Sequence, residues 1–116
     1  MRVQAITRNL HMSAQKVREV VRQVQGLPAL QAQAVLAAVP RKGARAVAKT
    51  LKSALANAEE LARQGKFAAV KPEALRVREA VAQTGLTHKR FTPKARGSAG
   101  PILKRHCHIK IVLSDE

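Results

Sequence analysis

His106, Cys107 and His108 stand in succession near the C-terminus. Two imidazoles and a thiol are the groups that ligate transition metals or pair as base and nucleophile. Their spacing argues against both uses. In an extended strand His106 and His108 share one face and Cys107 points from the other, so the three do not converge as they stand. The other histidines, His11 and His88, are distant in sequence, whereas structural zinc sites take four ligands, typically in close-spaced pairs. Cys107 has no acidic orienter for a neighbouring histidine and reads as a small buried hydrophobe. No metal and no cofactor are expected. The seven acids, Glu19, Glu59, Glu60, Glu73, Glu79, Asp115 and Glu116, lie singly, at a helix end or at the C-terminus. A hydrolase needs an acid and base pair, and a magnesium enzyme needs clustered carboxylates. Neither is well supplied, so an enzyme is the weakest reading and no small-molecule substrate is expected.

The chemistry that the chain does supply is cationic. Against those seven acids stand 22 Lys and Arg, a formal net charge of +15. A domain so charged repels itself until a polyanion lies against it, which makes nucleic acid the leading partner class. No acid occurs between Glu79 and Asp115, whereas Lys and Arg occur seven times there. Lys89, Arg90, Lys94, Arg96, Lys104 and Arg105 are placed to neutralise RNA phosphates. Gly97 and Gly100 permit close backbone approach, and Pro93 stiffens the chain. Lys42, Arg45, Lys49 and Lys52 form a second, weaker basic stripe. Basic groups on several faces suit a protein embedded in RNA better than a reader of one DNA groove. The only aromatics are Phe67 and Phe91, too few for a base-stacking single-strand module. Phe91 is placed to stack on a base or wedge into RNA, and Phe67 to pack in the core or a loop.

The elements that must carry these groups follow from periodicity. Residues 3–8 alternate weakly, as a short edge strand does. Ser13 suits a helix N-cap, Val17, Val20, Val21 and Val24 follow at the spacing of one buried face, and Gly26 stops the helix. A second, Ala-rich helix begins near Pro28 and ends by Pro40. A third runs from about Gly43 to Gln64. On it Val47, Ala48, Leu51, Leu55, Ala58, Leu61 and Ala62 share about 140° of arc, beside the basic stripe. After Pro72, Leu75, Val77 and Val81 alternate with Arg76, Arg78 and Ala80, with Glu79 intruding on the apolar side of a half-buried strand. Ile109, Ile111 and Leu113 form one face of a final strand, opposite Lys110 and Val112. Residues 83–105 between these two strands lack a helical period and read as an extended hairpin or a functional loop. Each limb of a hairpin would reach roughly 35 Å at about 3.3 Å per residue.

With 116 residues, the chain is expected to form a single domain, residues 1–116, with an arm at about 83–105. Twenty-one residues are Ala, while Leu, Ile, Val and Phe make up a quarter of the chain, which implies a folded, helix-rich and thinly cored body. No apolar run is long enough to span a bilayer, Met1-Arg2 is not followed by a signal-peptide hydrophobic region, and a lone cysteine fits a reducing compartment. No membrane insertion and a cytoplasmic location are expected.

Three separated segments carry a family resemblance: SAQKVREVVRQVQG, AKTLKSALANAEE and HKRFTPKARGSAGPILKRHCHIKIVLSDE. Within them Ser-x-x-Lys-Val-Arg spans Ser13 to Arg18, Ser-Ala-x-Ala-Asn-Ala spans Ser53 to Ala58, and the basic hairpin pattern spans Lys89 to Ile109. In this order and spacing they resemble the bacterial large-subunit ribosomal protein twenty-two family over essentially the whole chain. The resemblance implies an α+β fold, with three helices on a small three-stranded antiparallel sheet and a long β-hairpin arm. It also implies a structural constituent of the large ribosomal subunit, which binds large-subunit rRNA, supports assembly and lines the nascent-peptide exit tunnel with its hairpin. Neighbouring ribosomal proteins and the nascent peptide would be further partners, with macrolides binding near the tip. RNA-binding roles then fall to Ser13, Lys16, Arg18, Lys42, Arg45, Lys49, Lys89, Arg90, Lys94, Arg96, Gly97, Lys104, Arg105 and His108, and the tunnel tip to Lys89, Arg90, Phe91 and Pro93. The sequence departs from the family at residues 83–86, which lack two usual acids, at Ser98 and Pro101, and at His106-Cys107-His108. The competing reading is a free-standing, nucleoid-type basic nucleic-acid-binding protein.

Overall fold

A computed structural model describes residues 2–65 and 74–115; Phe67 lies outside them. The order of elements is β1 (Arg2–Leu10), α1 (Ala14–Val24), α2 (Ala29–Ala38), α3 (Lys42–Arg63), β2 (Arg76–Pro93), a single 3-10 turn (Ala95–Gly97) and β3 (Ala99–Ser114). The strands form one antiparallel sheet in the order β1-β3-β2, as a three-stranded α+β body requires. β1 is the expected edge strand, extended to Leu10. The C-terminal half of β3 is paired on both sides, whereas its N-terminal half pairs with β2 alone in a two-stranded arm. The hairpin reading of residues 83–105 is therefore the one realised, and the molecule extends 66 Å along its longest axis.

The helices pack on one sheet face. Ser13 caps α1, its Oγ accepting the Lys16 N–H at 3.4 Å. Val17, Val20, Val21 and Val24 are all buried, as their helical spacing demands. Gly26 follows at φ +84°, a left-handed conformation that favours glycine, and donates its N–H to the Val77 carbonyl at 2.8 Å. The Ala29 N–H reaches the Leu75 carbonyl at 3.0 Å, and the Val77 N–H reaches the Leu27 carbonyl at 2.9 Å. These three bonds tie the α1 to α2 connection to the start of β2. Helix α2 turns Ala29, Ala32 and Leu36 into the core, small side chains that bring it close to its neighbours. From the sheet come Val3, Ala5, Val77, Ala80, Ala82, Cys107, Ile109, Ile111 and Leu113.

Two sequence expectations need correction. Val81 is only half-buried, and Ala80 and Ala82 take the core positions instead. The pairing register shifts between Val77 and Glu79, and this bulge moves the following residues to the opposite faces. On α3 the buried arc is displaced toward Thr50, while Ala48, Leu55, Leu61 and Ala62 are only partly buried. Thr50 is accepted inside because its hydroxyl donates to the Ala46 carbonyl at 2.9 Å and meets Thr7 Oγ1 of β1 at 2.6 Å.

Candidate nucleic-acid interface

The arm displays its cations on both faces because its strands are in register. Residues opposite one another in an antiparallel pair project to the same side. Lys89 lies opposite Leu103, Phe91 opposite Pro101 and Thr87 opposite Arg105, forming one face. His88 opposite Lys104 and Arg90 opposite Ile102 form the other. Each face thus mixes basic and apolar side chains. Phe91 is 74% exposed and Leu86 58%, so neither contributes to a protein core. Both are available to RNA surfaces.

The end of the arm is a tight turn. The Lys94 N–H donates to the Ser98 carbonyl at 2.7 Å, and the Ala95 carbonyl accepts from Ser98 Oγ at 2.8 Å. Arg96 and Gly97 both take the left-handed conformation, at φ +61° and +69°. Only one of these is a glycine, so the turn holds Arg96 at the extremity by a modest backbone strain. Lys94 and Arg96 therefore crown the turn. Lys89, Arg90 and Phe91 lie on β2 behind it, and Pro93 ends that strand. The aliphatic part of Lys94 covers Gly100, where an added Cβ would come within 2.6 Å of Lys94 Cε.

A second basic surface lies where the arm leaves the body. A cleft of about 610 Å³ is bordered by the start of α1 and by both limbs of the arm, with Ser13, Lys16, Arg18, Lys104 and Arg105 in its wall. No carboxylate is among its lining residues. Arg18 also has a structural task, donating from Nε to the Ala82 carbonyl at 3.0 Å and so fastening α1 to β2. His108 is similarly engaged, since its Nδ1 accepts the Asn9 backbone N–H at 3.1 Å and anchors the end of β1. Cys107 is fully buried, and burial pushes its thiol above its usual pKa, partly opposed by the Arg18 charge. A buried protonated thiol is a poor nucleophile. Among the described residues, no three of His, Cys, Asp and Glu are arranged to hold a metal ion.

The third surface is α3, where Lys42, Arg45, Lys49 and Lys52 are all exposed. Lys42 and Arg45 border a second cleft, between α2 and α3, of about 550 Å³. Among the described residues, Arg41 pairs with Glu19 at 3.4 Å and Arg63 pairs with Glu60. Arg78, Ser114 and Asp115 make further contacts; the basic side chains at Lys42, Arg45, Lys49, Lys89, Arg90, Lys94 and Arg96 meet no acidic partner among the described residues. Two features escaped the sequence reading. Gly85 permits close strand approach, since a Cβ there would stand 3.1 Å from the His106 carbonyl oxygen. The folded register also gathers His11, His88 and His106 beside the first cleft. Neither leaves a signal in residue spacing, because both depend on a bulge in the arm.

The family described as Ribosomal protein L22p/L17e matches residues 5–114. A protein named Large ribosomal subunit protein uL22 from Opitutus terrae is 47% identical, covering 99% of this chain and 96% of that relative. The equally named proteins of Akkermansia muciniphila and Chloroflexus aggregans are 41% and 42% identical, over all of this chain and 98% and 97% of their own lengths. An unpaired basic arm on a small α+β body and near-complete coverage at such identity lead to one assignment: the chain belongs to the Ribosomal protein L22p/L17e family, whose members are structural, non-enzymatic constituents of the large ribosomal subunit.

Proposed function

We propose that the chain works as a single rRNA-binding unit of the large subunit, in which the body docks on the RNA surface and the arm threads into it. The observation that carries this reading is the arm itself: a hairpin over residues 83–105 with six cations, no acid and mostly exposed side chains. Such an arm does not bury itself, and its alternating basic side chains suit phosphates on both sides. RNA shape and backbone suffice for recognition, so no base-specific code is needed.

Ser13, Lys16, Arg18, Lys104 and Arg105 bind rRNA at the arm root, Lys42, Arg45 and Lys49 on α3, and Lys89, Arg90, Lys94, Arg96 and Gly97 toward the tip. His108 contributes by holding the strand that carries Lys104 and Arg105. In this reading the distal arm reaches roughly 35 Å from the body, supports subunit assembly and lines the nascent-peptide exit tunnel in the cytoplasmic ribosome. Lys89, Arg90, Phe91 and Pro93 then face the nascent peptide and any macrolide bound nearby. Neighbouring ribosomal proteins share the body surface.

The test is sedimentation of a tagged copy through a sucrose gradient after a high-salt wash. Salt strips loosely held basic proteins, whereas an arm threaded into folded RNA stays. Stoichiometric co-migration with the large subunit is expected. Release to the top, together with binding to arbitrary duplex DNA, would instead identify a free nucleoid-type protein.

A further inference from the structure

At the root of the arm three histidines from three parts of the chain meet. His106 on β3 stacks on His11, from the link between β1 and α1, with ring centroids 4.8 Å apart and planes 14° apart. His88 on β2 meets the same ring edge-on, at 5.2 Å and 87°. A bulge creates the meeting. Thr84 pairs with Cys107 and Thr87 with Arg105, so Gly85 and Leu86 together oppose His106 alone. The Leu86 carbonyl lies 3.1 Å from His106 Nδ1. A carbonyl only accepts, so Nδ1 carries the hydrogen and a second proton on this ring must enter at Nε2. The hydrogen bond to Leu86 persists in either charge state.

His11 and His106 also line the 610 Å³ cleft, with Lys16 and Arg18 facing it from α1 and Lys104 and Arg105 from β3. The acids of the adjoining elements, Glu19 on α1 and Glu79 on β2, are not in its wall, and Glu19 pairs with Arg41. Four permanent cations and the imidazoles of His11 and His106 thus share one cavity with no carboxylate in its lining, and His88 stands against His106. A phosphate in the cavity supplies the missing negative charge, and imidazole is the side chain whose charge changes near neutral pH. The central ring, His106, touches both others.

We propose that the His11, His88 and His106 cluster is a proton-linked phosphate site, which takes up protons when an RNA backbone phosphate enters the cleft at the arm root. The site rests on the rRNA-binding reading above and adds a pH dependence to it. His108 is not part of it, because its Nδ1 lone pair already accepts the Asn9 N–H.

The experiment uses the full chain and protein-free large-subunit rRNA at fixed salt. Calorimetric titrations at pH 7 in two buffers of different ionisation enthalpy count the protons taken up, and filter binding from pH 8 to pH 6 reads the affinity. For the natural chain, uptake of about half a proton at pH 7 and an affinity rise of about tenfold from pH 8 to pH 6 are expected, because the slope of log K against pH equals the number of protons taken up. The triple variant His11→Asn, His88→Asn, His106→Thr should bind with neither effect. Zero uptake by the natural chain overturns the site whatever the variant does, and full uptake by a folded variant overturns it by assigning the proton elsewhere. Absence of rRNA binding at every pH overturns the rRNA reading and the site with it, whereas pH-independent binding overturns the site alone.

Discussion

Replacing Lys89, Arg90, Lys94 and Arg96 together by glutamine separates the arm's electrostatic work from its folding. All four side chains are exposed, and none forms an ion pair. The one hydrogen bond lost is that of Arg90 Nη1 to its neighbour's carbonyl, at 2.8 Å. Stability should therefore change by no more than about 0.5 kcal/mol per substitution, or about 2 kcal/mol for the four together, the usual range for surface changes. RNA affinity should change greatly. Each phosphate contact contributes about 0.7 to 0.9 to the slope of log K against log salt, so four lost contacts flatten that slope by about 3. Between 50 and 200 mM salt the natural chain would then lose about 60-fold more affinity than the variant. Filter binding to folded large-subunit rRNA at four salt concentrations, beside thermal unfolding, measures both quantities. A slope altered by less than one unit would refute the assignment of these cations to phosphates, and loss of cooperative unfolding would place the arm in the core.

Further outcomes follow from the packing. Leu51 is fully buried beneath the sheet, so Leu51→Ala should lower the unfolding free energy by about 2 to 5 kcal/mol, read from urea denaturation. Cys107 should resist alkylation at pH 8 in the folded chain and react on unfolding. Because burial raises the folded pKa above the ordinary 9.0, its contribution to stability is complete below the unfolded value and is lost as pH rises through the folded one; Cys107→Ala should flatten the alkaline limb of a pH–stability profile. In the RNA-free protein, amides of residues 86–104 should exchange faster than those of residues 107–113, since the arm ladder lacks core burial. Equal protection of the two stretches would contradict that.

What could be read from the sequence depended on whether a residue's neighbours were local. The four valines of α1 declare their common face through helical spacing alone, and all four are buried. Ile109, Ile111 and Leu113 do the same through strand alternation. The arm was legible through its long acid-free stretch and lack of a helical period. The spacing places Val81 inside because it carries no mark of the bulge near Arg78, which inverts the side chains that follow it as far as the second register shift after Thr84. Thr50 was passed over because a hydroxyl reads as solvent-facing until Thr7 is brought against it from 43 residues away. The histidine cluster joins residues from three elements, a proximity that composition and period do not encode.

The central strand of the sheet is the last to be synthesised. Arg2 and Arg76 both pair opposite Ser114, so β1 and β2 are held by a strand that ends the described chain. During translation the helices can form as they emerge, but both flanking strands must wait for residues 99–114. Contacts spanning nearly the whole sequence close late and slow folding. A nascent chain that stops before β3 has two unpaired strand edges, which favour association with other chains. It also has half an arm. The connectivity therefore makes the two-stranded projection depend on β3: a chain that stops before residue 99 has neither the second limb of the arm nor the strand that joins β1 to β2.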